Sequence, residues 1–374
     1  MTVTADSRLI QAGAPQLDGR EAEYVAECLA TSWISSNGRF IADFEAAVAS
    51  FLGVEHAVAT CNGTVALHLA LAAMGIGPGD EVLVPTLTFI ASANAVTYCG
   101  ARPVFVDCEA DSFNLDPAAL AAKITPRTRA IMPVHLFGHP VDMDPVIAVA
   151  RAHGLMVIED AAEAIGARYK GRPVGALGDC ATLSFYGNKI ITTGEGGMVL
   201  TSDGALAERL RLLRGQGMDP ARRFWFEVIG YNYRMTNIAA AIGLAQMERA
   251  DAHLAARRRI AEGYARRLAP LSPRISLAPS RVWAQSVHWM VAVMLSQAQN
   301  RDQVIAAMAA DGIETRPVFH PMHMMPPYAE SAAYPNAERR SAAGLCLPTH
   351  AGLSEADLDR VCASLAAATA TVKP

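Results

Sequence analysis

Up to residue 201 the chain alternates short apolar runs with helical segments, and this alternation restricts its fold more than any other feature. The runs are almost continuously apolar, as in Leu155-Met156-Val157-Ile158. Such runs are typical of strands buried on both faces of a parallel sheet, and their alternation with helices predicts an α/β domain. Strands are predicted at 54–61, 81–88, 103–108, 130–137, 155–160, 181–186 and 197–201. No full helix separates the last two predicted strands, so the strand directions at this end of the sheet can be mixed.

The pattern changes after Asp203, and this change predicts a second domain. Helices are predicted at 64–74, 90–99, 117–123, 144–153 and 205–214, and an irregular stretch covers 215–233. One long helix over 237–268 follows, then a strand at 289–295 and helices at 302–310 and 354–368. We therefore predict a large domain over residues 1–247, with the N-terminal segment and a mostly parallel seven-stranded sheet. A smaller C-terminal α+β domain is predicted over 248–374.

Charge and cysteine content exclude several classes of protein. The net charge is −4 and no block of like charge occurs, so a nucleic-acid partner is not expected. The seven cysteines are scattered and none forms a C-x-x-C pair, which favours free thiols in a reducing cytoplasm. No signal peptide is recognisable, and no uncharged apolar stretch is long enough to span a bilayer. We expect a cytoplasmic protein without a membrane partner.

Lys189 lies in a tight turn at the end of a predicted buried strand, an unusual position for a surface charge. A desolvated lysine has a lowered pKa and can form an imine with an aldehyde cofactor. The glycines that follow, in Gly194-Glu195-Gly196-Gly197, let the backbone pass close to a bulky neighbour. Taken alone, the position is also that of a solvated loop lysine, because most lysines are exposed.

Three further positions favour a cofactor-binding role for Lys189 over that of a solvated loop lysine. Asp160 ends a predicted strand, where ligands of open α/β sheets bind, and a carboxylate there can hold a pyridine nitrogen; the alternative is a helix N-cap. Gly63 and Thr64 open a helix directly after a strand, which is typical of a phosphate site but also of an ordinary capped turn. Phe89 follows another strand and could stack on a flat ring or pack in the core.

Six motifs stand in one order and together resemble a known family. They are Asn62-Gly63-Thr64, Pro85-x-x-Thr88-Phe89, Glu159-Asp160-Ala161-Ala162, Ser184-Phe185 with Lys189, Glu195-Gly196-Gly197, and Gly230-Tyr231-Asn232-Tyr233-Arg234-Met235. The chain resembles the DegT/DnrJ/EryC1/StrS sugar-nucleotide aminotransferases over residues 34–348. The resemblance implies the aspartate-aminotransferase-like fold, fold type I of the enzymes that use pyridoxal 5'-phosphate (PLP).

The resemblance also implies a role for each matching residue. Lys189 would carry the cofactor as an imine, and Asp160 would hold its pyridine nitrogen. Gly63, Thr64 and Ser184 would bind the cofactor phosphate. Phe89 would stack on the face of the cofactor ring. Asn232 would reach the phosphate of a neighbouring subunit, which implies a homodimer with shared sites; its alternative role is a turn residue before a helix.

Two longer runs, 185–197 and 312–321, are similar to 4-aminotransferases that convert GDP-4-keto-6-deoxymannose to GDP-perosamine. This similarity implies L-glutamate as amino donor and substrate contacts from Arg316 and His320. The alternatives for these two residues are a surface arginine and a partly exposed loop histidine without a role in binding. Other UDP- or dTDP-linked keto sugars, aminated at C3 or C4, are alternatives. A non-catalytic regulator is a further alternative. A PLP sugar dehydratase is disfavoured because its relatives have histidine in place of Lys189.

Glu163 departs from the family pattern, in which many relatives have histidine or glutamine. A carboxylate beside the cofactor's phenolate would be repelled, so we expect Glu163 to be protonated or turned toward the sugar. His320 and His323 form an H-x-x-H pattern, but no third ligand accompanies it, and no metal site is predicted.

Overall fold

The computed structural model describes residues 9–371, and the seven predicted strands form one sheet. These are β1 (His56–Thr60), β2 (Glu81–Pro85), β3 (Arg102–Val106), β4 (Thr128–Ile131), β5 (Met156–Asp160), β6 (Cys180–Ser184) and β7 (Gly197–Thr201). Their order is β1-β7-β6-β5-β4-β2-β3. Strand β7 is antiparallel to both of its neighbours, whereas the other pairings are parallel. The mostly parallel sheet with mixed directions at one end is therefore confirmed.

Helices cover the sheet and begin where local signals place them. In chain order they are α1 (Glu21–Thr31), α2 (Arg39–Leu52), α3 (Gly63–Ala73), α4 (Ala91–Tyr98), α5 (Met143–His153), α6 (Gly204–Arg214), α7 (Asn237–Met247), α8 (Ala250–Leu268), α9 (Arg301–Ala310), α10 (Pro335–Ala343) and α11 (Glu355–Thr371). Helix α3 starts directly after β1 because the Asn62 side chain accepts a bond from the Val65 N–H. Its apolar residues are buried on most sides, which fixes its N-terminus at the sheet edge.

Two predicted helices differ in the structure. Residues 117–123 form two separate 3₁₀ turns; the segment is short, and Pro126 prevents a helix from continuing through Thr125. The predicted helix over 237–268 is divided into α7 and α8. Tyr24 donates a bond of 2.5 Å to Glu248, and Arg249 donates to the Asp18 carbonyl at 2.9 Å. Glu248 and Arg249, the two residues between α7 and α8, are thus held by Tyr24 and Asp18 near the N-terminus.

The C-terminal third forms a smaller α+β unit with its own apolar core. Its four antiparallel strands are β8 (Ile275–Leu277), β9 (Val291–Leu295), β10 (Arg316–Pro317) and β11 (Gly344–Leu347), in the order β8-β9-β11-β10. A third sheet is built from Arg168–Tyr169, Arg172–Pro173 and Ala284–Gln285. The predicted α/β class with a smaller α+β unit is confirmed. Within residues 9–371, no helix has both the length and the apolar character needed to cross a bilayer.

The predicted domain boundary at residue 247 stays a prediction. The N-terminal segment, which we assigned to the large domain, also contacts the smaller unit. Ile10 donates a backbone bond to Gly312 and is buried in the C-terminal core. Thr349 donates to the Ala12 carbonyl in turn. The segment therefore connects the two units.

Candidate active site

The carboxyl ends of four strands carry the predicted cofactor residues. Gly63 opens α3 after β1, Phe89 follows β2, Asp160 ends β5 and Ser184 ends β6. Lys189 lies in the turn after β6. Ligands of open α/β sheets bind at this edge. The fold therefore brings to one edge residues that are more than one hundred positions apart in sequence.

Lys189 is buried in this edge and is not a solvated loop residue. Its side chain is 13% exposed, and its Nζ lies 3.6 Å from Glu163 Oε1 and 3.9 Å from the ring centroid of Trp289. Burial lowers the pKa of Lys189, while Glu163 and Asp160 oppose that shift. A lowered pKa makes more of the neutral amine, the form that attacks a carbonyl carbon.

Asp160 is a buried carboxylate with hydrogen-bond donors but no directly paired cation among the described residues. Ser92 Oγ donates to its Oδ2 at 2.8 Å, and the Ala162 N–H donates to its Oδ1 at 3.2 Å. Burial raises the pKa of Asp160, and the two bonds act against that shift. A protonated pyridine nitrogen is a cation that would compensate the buried charge. No helix starts at Asp160, but its bond from the Ala162 N–H caps the turn after β5, so the capping alternative holds for that turn only.

Glycines allow the start of α3 to approach β6 closely. A Cβ added to Gly63 would lie 2.8 Å from Ser184 Cβ, and one added to Gly197 would lie 2.3 Å from the Asn62 carbonyl oxygen. The first-turn amides of Gly63 and Thr64 have no acceptor within their helix. These amides and the nearby Ser184 hydroxyl form a cradle whose chemistry fits a phosphate group.

Replacing Gly63 by alanine is expected to weaken cofactor binding by about tenfold or more, because the new methyl group overlaps Ser184. The dissociation constant for PLP, measured by absorbance titration, checks this. Gly77→Ala is the matched control, since an added Cβ there meets nothing within 4 Å. Equal PLP affinity in both variants would contradict the assignment of the cradle.

Phe89 is a surface aromatic and not a core residue. It is 55% exposed, and its ring centroid lies 5.9 Å from that of Phe319. The core alternative is therefore wrong, and more than half of the side chain is accessible to a ligand. Asn232 is also exposed, and α7 begins at Asn237 with Thr236 as its cap. Asn232 is thus not the turn residue at the start of that helix.

The two predicted substrate residues differ in their environment. Arg316 is partly exposed, lies 3.6 Å from Glu314 and is close enough to Lys189 to lower its pKa. His320 is exposed, whereas His323 is buried, with Nδ1 2.7 Å from Thr86 Oγ1. The two histidines therefore do not converge. Among residues 9–371, no group of three or more His, Cys, Asp or Glu side chains could hold a metal ion.

Glu163 is buried beside Lys189 and titrates near neutral pH. Its Oε2 accepts a bond of 2.7 Å from the Phe137 N–H. Burial raises the pKa of Glu163 to about 7, although Lys189 and the Phe137 N–H act in the opposite direction. Both protonation states are therefore available at pH 7. Burial thus supports the expected protonated state, which stays a prediction.

This raised pKa predicts a pH-dependent difference between the wild type and Glu163→Gln. The unfolded chain releases the Glu163 proton near pH 4.5, while the folded protein keeps it up to about pH 7. Between these values the wild type should lose roughly 3 kcal/mol of unfolding free energy relative to the variant. Denaturant unfolding of both cofactor-free proteins from pH 4 to pH 8 measures it. A difference that stays constant with pH would show that folding does not raise the pKa of Glu163.

Sequence reasoning missed two residues that complete the site. Ser92, on α4, donates to Asp160, and Trp289, from the C-terminal unit, covers Lys189. Neither lies in a motif that we recognised. Trp289 lies two residues before the start of β9 at Val291, and only the packing of the two units shows its position. Its burial and its indole bond to the Asn188 carbonyl, at 2.9 Å, are visible only in three dimensions.

The geometry agrees with what the chain is similar to. The family model of the DegT/DnrJ/EryC1/StrS aminotransferase family matches residues 15–366. The chain belongs to this family. A relative from Caulobacter vibrioides named GDP-perosamine synthase is 61% identical, covering 96% of this chain and 98% of the relative. A protein of the same name from Escherichia coli O157:H7 is 47% identical, covering 94% and 96%.

A solved structure of a sugar aminotransferase shares the whole fold. The PLP form of Spr1654 from Streptococcus pneumoniae superposes with a TM-score of 0.92 at 27% identity, covering 98% of this chain and 100% of Spr1654. Fold type I is therefore confirmed. The protein is a PLP-dependent sugar-nucleotide aminotransferase, and the non-catalytic alternative is set aside. The roles of the individual residues stay predictions.

Proposed function

We propose that this aminotransferase moves the amino group of L-glutamate to C4 of GDP-4-keto-6-deoxymannose and forms GDP-perosamine. The observation that supports this best is the similarity to two relatives named GDP-perosamine synthase over more than nine tenths of the chain. The described site supports the chemistry. It combines a buried lysine, a buried strand-end carboxylate and a phosphate cradle at one sheet edge.

Each half of the reaction uses the same side chains. Bound PLP supplies an electron sink for the carbon that loses or gains a proton. Asp160 would hold the pyridine nitrogen protonated, while Gly63, Thr64 and Ser184 would anchor the phosphate and Phe89 the ring face. Lys189 would be the residue that holds the cofactor between turnovers. Its free amine then moves the proton that amino transfer requires.

Arg316 supports an anionic donor. L-glutamate brings two carboxylates, and a nearby cation is needed to bind them in a partly buried cleft. Arg316 is held only by a loose pair with Glu314 at 3.6 Å and is close enough to influence Lys189. It can therefore exchange Glu314 for a donor carboxylate. His320 follows Arg316 closely in the sequence and is exposed. We propose that it contacts the sugar nucleotide.

Labelled donor tests the substrate directly. With [¹⁵N]glutamate, we expect the label at C4 of the sugar from GDP-4-keto-6-deoxymannose, and a kcat/KM for dTDP- and UDP-linked 4-keto sugars that is lower by about 100-fold or more. A higher kcat/KM with a dTDP or UDP sugar would replace the proposed nucleotide. Label at C3 of a 3-keto sugar would replace the proposed position.

We also propose a homodimer in which Asn232 serves the neighbouring site. Large apolar side chains are exposed in the segment that precedes it, at Phe224, Trp225, Phe226, Val228 and Ile229. Ile229 is 94% exposed, which is costly for an isolated subunit in water. A second subunit would cover this surface and bring Asn232 near its phosphate cradle.

Mixing two inactive variants tests the shared site. Lys189→Ala and Asn232→Ala homodimers are each expected to be defective. If Asn232 serves the partner, a mixed dimer has one site with both substitutions and one with neither. Co-refolded mixtures should then regain about a quarter of wild-type activity, because half the dimers are mixed and each has one intact site. No recovery would place Asn232 in its own subunit's site.

We also propose a cytoplasmic location for the protein and a polysaccharide as the destination of its amino sugar. All seven cysteines are free thiols, which supports a cytoplasmic location. An amino-deoxy sugar on GDP is an activated donor for glycosyl transfer, and we propose the O-antigen of lipopolysaccharide as its destination.

A further inference from the structure

The amine of Lys189 has two close neighbours, which come from different parts of the chain. Glu163 lies just beyond β5, and its Oε1 is 3.6 Å from Nζ. Trp289 comes from the C-terminal unit, and its ring centroid is 3.9 Å from Nζ. Both neighbours are 5% exposed. An ammonium this close to the face of a buried indole is attracted by the ring's negative face.

Trp289 is fixed at several points. Its indole N–H donates to the carbonyl of Asn188 at 2.9 Å, and its own carbonyl accepts a bond of 2.7 Å from Arg257. Its ring stacks on Phe137, with planes inclined by 15° and centroids 6.5 Å apart. The Phe137 N–H holds Glu163. The two neighbours of Lys189 therefore belong to one connected set of contacts.

We propose that Trp289 and Glu163 form a lysine seat, which holds the freed Lys189 side chain in place and stabilises the ammonium form that it takes once it has accepted a proton. The inference rests on the proposed function only in that amino transfer releases Lys189 in every cycle. A released lysine has a long flexible side chain. A fixed position keeps its Nζ close to the proton that it must move.

The indole face stabilises the Lys189 ammonium without adding another charge to the site. Glu163 and Asp160 favour the ammonium, whereas burial and Arg316 oppose it. The Cys346 thiol lies near Glu163 and Arg316, and burial keeps it neutral by raising its pKa. A third carboxylate would bind the ammonium too tightly to release it. An aromatic face stabilises the cation by a smaller amount and brings no charge of its own.

The test measures the acylation rate of Lys189 against pH, by mass spectrometry of the peptide that contains it. Full-length protein is used first without cofactor and then after loading with pyridoxamine 5'-phosphate. Only the neutral amine reacts, so the midpoint of the pH profile reports the stability of the ammonium. The plateau at high pH reports access to the amine. Access and charge are thereby separated.

Trp289→Leu and Glu163→Gln should both move the midpoint to lower pH. Below the wild-type midpoint, their acylation rates should rise about fivefold or more. Trp289→Phe keeps an aromatic face but loses the indole N–H, so its midpoint should stay closer to the wild type. Trp289→Met provides a larger apolar side chain if the leucine variant does not fold. Trp283→Leu is the matched control, because its ring contacts His139 and Tyr169.

Two results would overturn the seat. One is an unchanged midpoint in Trp289→Leu and Trp289→Met, with only the plateau altered. The other is a Trp289→Phe midpoint as low as that of Trp289→Leu, since the bond to Asn188 would then matter and not the ring face. The midpoints do not depend on the sugar substrate. A wrong nucleotide assignment would therefore leave them unchanged, and a failed seat would leave the labelled-donor result unchanged.

Discussion

Replacing Lys189 by alanine is expected to lower the rate of amino transfer by about 10³-fold or more. The variant loses both the amine that bonds to the cofactor and the base that moves the proton. Its side chain is largely buried, and its amine makes one loose ion pair with Glu163 and one contact with the Trp289 ring, so the fold should persist. The measurements are kcat/KM with L-glutamate and the keto sugar, and the absorbance band of the lysine-bound cofactor, which should vanish.

Lys170→Ala is the matched control for that experiment. Lys170 is an exposed lysine that pairs with Asp144 at 2.5 Å. Its loss should leave both the rate and the absorbance band unchanged. Transfer at a rate near the wild type in Lys189→Ala would refute the assignment of the catalytic lysine.

Asp160→Asn should reduce turnover by about 10²-fold or more while the protein stays folded. The amide oxygen can still accept the bond from Ser92, but the amide cannot stabilise a protonated pyridine nitrogen. Without cofactor, the variant should be as stable as the wild type or more so. The reason is that burial raises the pKa of Asp160 and disfavours its charged form. Turnover and denaturant unfolding are measured on the same preparations.

Asp111→Asn serves as the control carboxylate. Asp111 is exposed and pairs with Arg281 at 2.6 Å, in the loop after β3, a strand whose end carries none of the predicted cofactor residues. Its turnover should equal that of the wild type. If Asp160→Asn instead retained full turnover, the strand-end carboxylate would not be the partner of the pyridine nitrogen.

The sheet was predictable from the sequence because its strands are buried on both faces. Runs such as Leu155-Met156-Val157-Ile158 have no polar face, and short helical segments separate most of them. The break between α7 and α8 was not predictable in the same way. No glycine or proline marks it, and it depends on contacts of Glu248 and Arg249 with residues more than two hundred positions away.

The site was predictable where a residue stands at a strand end or a helix start. Lys189, Asp160 and Gly63 have such positions, and the fold brings them to one edge. Ser92 and Trp289 gave no signal, because a serine within a predicted helix and a tryptophan at the start of a predicted strand have ordinary structural roles. Their importance comes from contacts with Asp160 and Lys189 that the fold alone creates.

The most direct test of the central claim is the absorbance spectrum of the purified protein, followed by L-glutamate and then GDP-4-keto-6-deoxymannose. We predict a band near the visible edge that shifts on addition of glutamate and returns with the keto sugar. A band that responds to glutamate but not to this sugar would contradict the proposed substrate. No band, even with added PLP, would contradict the assignment of Lys189 and the phosphate cradle.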